Sequence, residues 1–393
     1  MNKENTPQKI DYTLLFILFL MAIVSAIAIQ SAQPFLPDKL KNINFAAQQL
    51  QWYVIGIVAI IGTMVIDFDR FKMISWYLYG FGLFLLSGLF IEKYFFPVPF
   101  AENIKGATAW YRFPGLGSFQ PSELMKIIFI IVLSKIIADH REKYPINNVK
   151  DDLLLIGKIM LAAAPPIGFL VLQPDMGMTM VFMSIIATMI LVAGIKWRII
   201  FSVVFTAIFI VSLGVFLYFY FPDFFFKYVI TDQYQMNRFY GWLAPYETAG
   251  NEGHQLVRSL LAIGSGQLQG KGFQESEVTI PEGHTDFIFA VVAEQFGFIG
   301  TSIIISLFFL LIYRMIHIAL ESHDPYGSYL CAGVIGMITF QVFQNVGMTV
   351  GILPITGLPL PFISYGGSSL ATYMLAIGIV LNVRSRTKKF MFD

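Results

Sequence analysis

Residues 14–32 read LLFILFLMAIVSAIAIQSA, a stretch of apolar and small residues without a charged side chain. A hydrocarbon layer about 30 Å thick needs about 20 residues of helix, so this stretch predicts a membrane-spanning helix. Further stretches of this kind follow along the chain. With the first stretch included, the predicted spans cover residues 14–32, 52–67, 74–91, 124–138, 153–172, 176–195, 199–221, 286–314, 329–350 and 369–383. The sequence therefore predicts one all-α polytopic membrane domain with ten transmembrane helices.

The composition also indicates that most of this 393-residue chain lies in lipid. Hydrophobic residues make up 56% of it and charged residues only 13%, whereas charged residues are about 25% of a soluble domain. The net charge of +1 provides no basic field for a nucleic acid, so no nucleic-acid partner is expected. The single cysteine, Cys331, excludes an internal disulfide and a thiolate metal cluster.

Most of the lysine and arginine in short loops lies on one side of the predicted membrane. Positively charged flanks stay cytoplasmic, and residues such as Arg70 and Lys72 lie on the side that includes the N-terminus. Both termini are therefore predicted to be cytoplasmic. Two long connections, 93–122 and 222–285, then lie outside, and the second is a large extracellular loop between the seventh and eighth spans. Long connections are commonly functional, so the working face is predicted to be external.

The first outer connection ends in residues with the chemistry of a helix start and of a buried charge pair. Ser122 suits an N-cap, and Glu123 suits the positive end of the helix dipole. Glu123 and Lys126 are neighbours on one helix face. A charge inside the hydrocarbon boundary costs about 2.5–3.5 kcal/mol unless it is paired, which favours a functional role for Lys126. The alternative is a helix start with a modest ion pair.

Asp286 is the carboxylate that stands out as a candidate for chemistry. It directly precedes the apolar run 287–293, which holds it at the boundary between water and lipid. Partial removal from water there suits a general base. The alternative role is an N-cap of the eighth helix. Glu294, eight residues on, lies about 80° round the helix and is expected to pair within the bundle.

Two other motifs leave alternatives open. The stretch 264–272, GSGQLQGKG, does not match a phosphate loop, because its spacing is wrong and Gly272 replaces the required serine or threonine. Flexible backbone near a ligand and simple turn chemistry both remain possible for it. Asp175 lies in the turn between the fifth and sixth spans. There it can cap the sixth helix or contact a substrate.

Residues 351–369, GILPITGLPLPFISYGGSS, are apolar enough for membrane depth, but their prolines and glycines forbid a regular helix. Irregular backbone is tolerated at that depth only where protein buries it or where it lines a wet cavity. Gln341, Gln344 and Asn345 add polar groups just upstream. The pattern predicts a cavity wall in the outer half of the membrane, and hydrogen bonds between helices are the alternative for the amides.

Five phrases in this order resemble one family, the shape, elongation, division and sporulation (SEDS) family. They are FQPSE at 119–123, QPDMG at 173–177, AIGSG at 262–266, HTDFIF at 284–289 and PLPFISYGG at 359–367. The chain is more similar to the elongation member than to the division member. The resemblance implies a glycosyltransferase that polymerises lipid II, a disaccharide-pentapeptide on undecaprenyl pyrophosphate, on the outer face. It implies as partners a class B penicillin-binding protein, which crosslinks the product, and other cell-elongation membrane proteins.

The resemblance also assigns roles to residues. Asp286 falls on the family's essential carboxylate, and Glu123 and Lys126 fall on its fourth-span motif. The residues expected to bind substrate are Trp110, Gln120, Ser122, Glu123, Lys126, Arg238 and Lys271. The scattered histidines predict no metal site built by the protein, so a divalent cation, Mg²⁺ or Mn²⁺, would come with the substrate pyrophosphate. Two other functions stay open: a flippase for the same lipid, and a non-catalytic scaffold for the crosslinking enzyme.

Overall fold

The computed structural model describes residues 10–104, 107–113, 117–145, 148–221, 224–225, 233–251 and 253–387. Most of these residues are helical. The helices are α1 Tyr12–Ala32, α2 Asp38–Lys41, α3 Phe45–Val65, α4 Phe68–Tyr94, α5 Pro121–Lys143, α6 Val149–Leu172, α7 Met176–Val192, α8 Trp197–Tyr220, α9 Gln233–Leu243, α10 His254–Gly266, α11 Ile288–Glu321, α12 Pro325–Thr349 and α13 Gly367–Arg386. A short 3₁₀ turn, Gln33–Phe35, follows α1.

A helix coincides with each of the ten predicted spans. In the part of the chain that the structure describes, eight helices are long and apolar enough to cross a membrane. The other two are α5, which carries Glu123, Lys126 and Lys135 among its apolar residues, and α7, which has 17 residues. The coarse prediction of a polytopic helical membrane protein is confirmed. The count of ten spans and the side on which the termini lie stay predictions.

Helices α5, α12 and α13 form the centre of the bundle. Residues 125–133 of α5 are each at most 3% exposed, including Lys126. Around this centre, α3 packs against α13, α4 against α5, α7 against α12 and α1 against α11. By contrast, α8 leaves nearly all its apolar side chains exposed, as expected of a peripheral helix surrounded by lipid. The central position of α5 explains how it can carry charges at membrane depth.

The prediction of an all-α fold omitted a small antiparallel sheet. Strands β1 Ala101–Ile104, β2 Ala107–Phe113 and β3 Gly117–Phe119 pair in the order β1-β2-β3. The run ATAWYRF in β2 contains three aromatic residues and one threonine, residue types that favour a pleated, half-buried strand. The sheet is attached to the bundle because the Tyr111 hydroxyl donates a hydrogen bond to the Leu85 carbonyl of α4 at 3.0 Å.

The described residues of the connection predicted as a large extracellular loop, 222–285, include the helices α9 and α10. Both α9 and α10 contact the chain around the end of α12. The indole N–H of Trp242 donates to the Gly351 carbonyl at 3.0 Å, and the Ser259 hydroxyl donates to the Thr349 carbonyl at 2.8 Å. These contacts attach α9 and α10 to the bundle, and the extracellular position of the connection stays a prediction.

Helix α11 is broken at Gly297, where φ is +63°. The turn after α10 fills the break. The N–H groups of Phe298 and Ile299 donate to the carbonyls of Gln267 and Leu268 at 2.9 and 3.2 Å. On the other side, the N–H groups of residues 271 and 272 donate to the carbonyls of residues 294 and 295, each at 3.0 Å. The hydrogen bonds that a continuous helix would make are thus replaced by bonds to the turn.

This arrangement explains the glycine cluster at 264–272. A Cβ on Gly266 would lie 1.9 Å from the Ala293 carbonyl oxygen, and one on Gly270 would lie 2.2 Å from that of Gln295. The glycines therefore allow two backbones to approach closely. Turn chemistry, rather than a flexible ligand-binding backbone, is the interpretation that these contacts support.

Replacing Gly270 by alanine is expected to destabilise the protein. Gly270 has a φ of +80° in addition to the backbone contact, so both the conformation and the space oppose a Cβ. We expect Gly270→Ala to lower the free energy of unfolding by about 1–3 kcal/mol. The measurement is thermal unfolding of the purified protein in detergent. Gly264→Ala is the matched control, because open space surrounds Gly264; equal melting temperatures for the two variants would contradict the role of the turn.

Candidate active site

Asp286 lies in the turn that leads into α11 and is partly buried. Its backbone carbonyl accepts a hydrogen bond from the Asn345 side chain at 2.7 Å. Its carboxylate lies beside Gly357, since a Cβ on that glycine would be 3.4 Å from Oδ2 of Asp286. The N-cap of α11 is Phe287, so the alternative role of Asp286 as the helix cap is wrong. Its carboxylate is therefore not used to begin the helix.

The irregular segment 351–366 faces this turn. Positive φ angles at Gly351, Gly357 and Phe362 bend it away from helical geometry. It is joined to the Asp286 turn by two bonds, in which the Ser364 hydroxyl donates to the Thr285 carbonyl at 2.6 Å and the Tyr365 N–H donates to the His284 carbonyl at 3.0 Å. The position of Asp286 is therefore set by this segment.

Side chains of the surrounding helices hold the same segment. The Tyr53 hydroxyl donates to the Phe362 carbonyl at 2.7 Å, and the Gln49 amide donates to the Ser364 carbonyl at 3.0 Å. From α12, Gln344 donates to the Pro354 carbonyl at 3.0 Å and Asn345 donates to the Leu358 carbonyl at 2.8 Å. The side-chain amides of α12 thus donate hydrogen bonds to backbone carbonyls of a segment that is not helical.

Arg238 reaches the same place from α9. Its Nη1 donates to the Ile355 carbonyl at 3.3 Å, and its Nη2 lies 3.9 Å from where a Cβ on Gly357 would be. Oδ2 of Asp286 and Nη2 of Arg238 therefore both lie within 4 Å of one point, the position that a Cβ on Gly357 would take. The structure brings together a carboxylate and a guanidinium that are 48 positions apart in the chain. The roles expected of both residues stay predictions.

Glu123 and Lys126 form a buried ion pair on α5. Lys126 Nζ lies 2.8 Å from Glu123 Oε2, and the two side chains are 0% and 1% exposed. Lys126 Nζ also lies 5.2 Å from the centre of the Tyr373 ring. In this conformation neither charged group is open to a ligand, and their predicted part in substrate binding stays a prediction.

The predicted N-cap at Ser122 is wrong. Helix α5 begins at Pro121, and its N-cap residue is Gln120, which makes no side-chain capping bond. Proline fits the first helical position because its φ is already helical and it has no N–H to satisfy, so the helix begins two residues earlier than expected. Ser122 is buried in the first turn, and its hydroxyl has no hydrogen-bond partner among the described residues.

Asp175 lies within electrostatic reach of Glu123, Lys126 and Arg238, a proximity that the sequence did not indicate. Its Oδ1 accepts from the Met178 N–H at 3.0 Å, which confirms that it caps the sixth predicted span. Its Oδ2 accepts from the Gln120 amide at 3.3 Å. Removal from water raises the pKa of the Asp175 carboxyl. The charge of Glu123 raises this pKa further. The hydrogen bond from the Met178 N–H and the charges of Lys126 and Arg238 lower it.

These residues form what we call the charged cluster: Asp175, Glu123, Asp286, Lys126 and Arg238. With three carboxylates and two cations, it can accept a proton and offset an anionic leaving group. Within the described ranges, no group of three or more His, Cys, Asp or Glu side chains could hold a metal ion. A divalent cation would therefore need ligands from the substrate as well.

A cavity of about 890 Å³ opens beside Thr285. Its walls come from α3, from the β2–β3 hairpin and from the start of α13. The predicted residue Trp110 lies in its wall. No charged side chain is among the described residues that line it. The site thus has a charged part around Asp286 and a neutral part next to it.

Lys271 lies elsewhere, at the break in α11. Its Nζ lies 2.6 Å from Glu277 Oε2 and 3.7 Å from Glu294 Oε1. Glu294 also accepts from the N–H groups of Glu277 and Val278, at 2.9 and 3.1 Å. These contacts hold the turn, and none of those described brings Lys271 to Asp286. Its predicted part in substrate binding remains a prediction.

The comparisons with known proteins agree with this geometry. A family model described as a cell cycle protein, for FtsW, RodA and SpoVE, matches residues 11–389. The chain belongs to this family, the SEDS family. A probable peptidoglycan glycosyltransferase FtsW of Geobacter metallireducens is 35% identical over 88% of this chain and 86% of the relative.

Two further relatives carry other names within the family. The stage V sporulation protein E of Bacillus subtilis is 34% identical over 97% of this chain and 98% of the relative. The peptidoglycan glycosyltransferase MrdB of Escherichia coli K12 is 32% identical over 98% of this chain and 97% of the relative. Identity alone does not choose among these members, so the elongation role stays a prediction.

Solved structures share the fold of this SEDS chain. A chain of a peptidoglycan synthase complex, described as coordinating polymerization and crosslinking, matches with a TM-score of 0.75 at 27% identity, covering 95% of this chain and 97% of that chain. The rod shape determining protein RodA of Thermus thermophilus matches with a TM-score of 0.67 at 26% identity, covering 97% and 98%. The fold of the whole chain is therefore RodA-like.

The buried ion pair gives a prediction about stability. Lys126→Met leaves the Glu123 charge uncompensated in the bundle, so we expect it to lower the free energy of unfolding by about 3–5 kcal/mol. The double variant Glu123→Gln with Lys126→Met removes both charges and should regain most of that loss. The measurement is a double-mutant cycle from unfolding in detergent. A double variant as unstable as Lys126→Met would contradict a pairwise interaction.

Proposed function

We propose that this chain is a peptidoglycan glycosyltransferase, which polymerises lipid II into glycan strands on the outer face of the cytoplasmic membrane during cell elongation. The observation that carries the proposal is the placement of the Asp286 carboxylate. It lies beside Arg238 and next to a neutral cavity large enough for a sugar. Relatives named peptidoglycan glycosyltransferase support the reaction class.

Asp286 acts as the general base. It takes the proton from the 4-hydroxyl of the acceptor sugar while that oxygen attacks the anomeric carbon of the donor. The new bond joins the acceptor oxygen to the anomeric carbon, and the bond from that carbon to the pyrophosphate oxygen breaks with inversion. Undecaprenyl pyrophosphate leaves with the electron pair. Because the donor carries its own leaving group, the enzyme needs no nucleotide.

The cations of the charged cluster offset the charge that develops on the leaving pyrophosphate. Arg238 is only partly buried, so its guanidinium is the one that can contact the pyrophosphate directly. Lys126 contributes its charge from within the bundle, and Glu123 fixes its position. A divalent cation, Mg²⁺ or Mn²⁺, bound together with the substrate would supply further neutralisation of the same charge.

The proposed partner is a class B penicillin-binding protein, which crosslinks the strands. Other cell-elongation membrane proteins would belong to the same assembly. The likeness to a chain of a complex that coordinates polymerization and crosslinking supports this assignment. The fold similarity extends over 95% of this chain and 97% of that chain.

Substitution of the proposed base should abolish polymerisation. We expect Asp286→Asn to reduce the rate of glycan formation by at least about 100-fold, because general-base catalysis contributes about 10²–10⁴-fold. The measurement is polymerisation of labelled lipid II by the purified chain, with and without a class B partner. Glu277→Gln is the matched control, since that carboxylate is 80% exposed at the α11 break. A folded Asp286→Asn protein with normal polymerisation would refute the assignment.

The proposed topology has ten spans, cytoplasmic termini and an external 222–285 connection. The test begins with Cys331→Ser, which removes the buried free cysteine. In that background, we expect a membrane-impermeant maleimide to label Asp38→Cys in intact cells and to label Lys143→Cys only after lysis. Both positions are exposed at helix ends. Labelling in the opposite order would invert the topology and place the Asp286 site on the cytoplasmic side.

A further inference from the structure

We propose that the neutral cavity is a saccharide site, in which the indole of Trp52 is a platform for an uncharged sugar ring of the substrate. This inference rests on the proposed function, because it assigns one part of the lipid-linked substrate to one part of the site. It adds Trp52, Gln48 and Gln51 of α3 to the residues that recognise the substrate.

The lining of the cavity has the chemistry of a sugar site. Its polar groups are the amides of Gln48 and Gln51, and hydroxyls such as those of Ser118 and Thr372. Uncharged donors and acceptors of this kind match the hydroxyl and acetamido groups of a hexosamine. A pyrophosphate, in contrast, is normally held by arginine or lysine, and none of the described lining residues is charged. The volume of about 890 Å³ lies within the range of ligand sites in proteins.

Two indoles belong to the cavity wall, one from each side. Trp52 lies on α3, and Trp110 lies on β2. Both are partly exposed, so each retains an open surface toward the cavity. A flat aromatic face is the usual apolar partner of the C–H groups on a sugar ring, and the indole offers the largest such face. The pair offers two apolar faces to the C–H groups of a sugar ring.

Trp52 is held rigidly. A Cβ on Gly367 would lie 2.2 Å from Cε2 of this indole, so the edge of the ring rests on the backbone at the start of α13. A Cβ on Gly117 would lie 3.8 Å from Cζ2 of the same indole. A ring fixed in this way loses little conformational entropy when a ligand binds. Gly367 therefore makes room for the platform.

The cavity is placed correctly for the reaction. Thr285, which lines it, is the residue before Asp286. Tyr365 also lines it, and its hydroxyl donates to Gln48 Oε1 at 2.6 Å, which orients that amide at the cavity wall. A sugar on Trp52 would thus lie next to the general base, while the pyrophosphate would lie toward Arg238. The neutral and charged parts of the site recognise different parts of one substrate.

An anion is the competing ligand for this cavity. The first residues of α13, Gly367 to Ser369, line it, and Gly366 provides no side-chain cap. A helix N-terminus attracts phosphate groups. If the cavity holds the pyrophosphate rather than the sugar, inorganic pyrophosphate should occupy it. The test must therefore include both kinds of probe.

The experiment measures binding of chitotetraose, a soluble oligomer of N-acetylglucosamine, to the full chain in detergent. Calorimetry gives the dissociation constant for the wild type, Trp52→Leu, Trp52→Phe and Trp76→Leu. We expect about tenfold weaker binding for Trp52→Leu and an intermediate loss for Trp52→Phe, which retains a smaller aromatic face. Trp76 is a partly exposed tryptophan on α4 outside the described cavity lining, so Trp76→Leu should bind within about twofold of the wild type. Inorganic pyrophosphate should not compete.

Three results would overturn the inference: no binding by the wild type, wild-type affinity in a folded Trp52→Leu protein, or competition by pyrophosphate. The melting temperature of each variant establishes that it is folded, and Trp52→Phe keeps most of the packing if Trp52→Leu does not fold. The assay involves no turnover. Binding without polymerisation of lipid II would therefore refute the proposed function alone, whereas polymerisation by Trp52→Leu with an unchanged KM for lipid II would refute this inference alone.

Discussion

The site depends on one constraint, which is that backbone polar groups at membrane depth must be satisfied by protein. Between α12 and α13 the chain is not helical, and its carbonyl groups are bonded instead to Tyr53, Gln49, Gln344 and Asn345. These bonds fix a bend at the centre of the bundle. Because Asn345 also binds the backbone of Asp286, the same bonds place the carboxylate. Stability and function therefore share one network.

The break in α11 meets the same constraint, because backbone polar groups at the break are bonded to protein. The turn after α10 exchanges backbone hydrogen bonds with the helix on both sides of the break. The short segment that follows Asp286 is therefore separated by the break from the longer segment that continues through the bundle. Glycines at 266, 270 and 297 permit the approach. A helix that is interrupted but fully hydrogen-bonded can carry a reactive residue at its start without exposing backbone to lipid.

Charged and uncharged residues occupy different parts of the site. The carboxylates and cations gather around Gly357 and the start of α5, whereas the cavity beside them is lined by uncharged residues. A lipid-linked saccharide pyrophosphate has the same division, with a neutral sugar and an anionic linker. The arrangement accounts for the absence of a nucleotide motif in a protein of this chemistry, since the substrate brings its own leaving group.

Properties that depend on neighbouring residues were predictable from the sequence: the apolar lengths of the spans, the irregular stretch at 351–369 and the capping role of Asp175. Properties that depend on distant residues were not. Arg238 and Ile355 meet although they are 117 positions apart, and Trp52 and Trp110 share a cavity only because α3 and the hairpin pack around α13. Hydrophobic length is a local quantity that one stretch of chain contains. The grouping of charges and the shape of a cavity arise from packing between helices, and only the tertiary structure decides them.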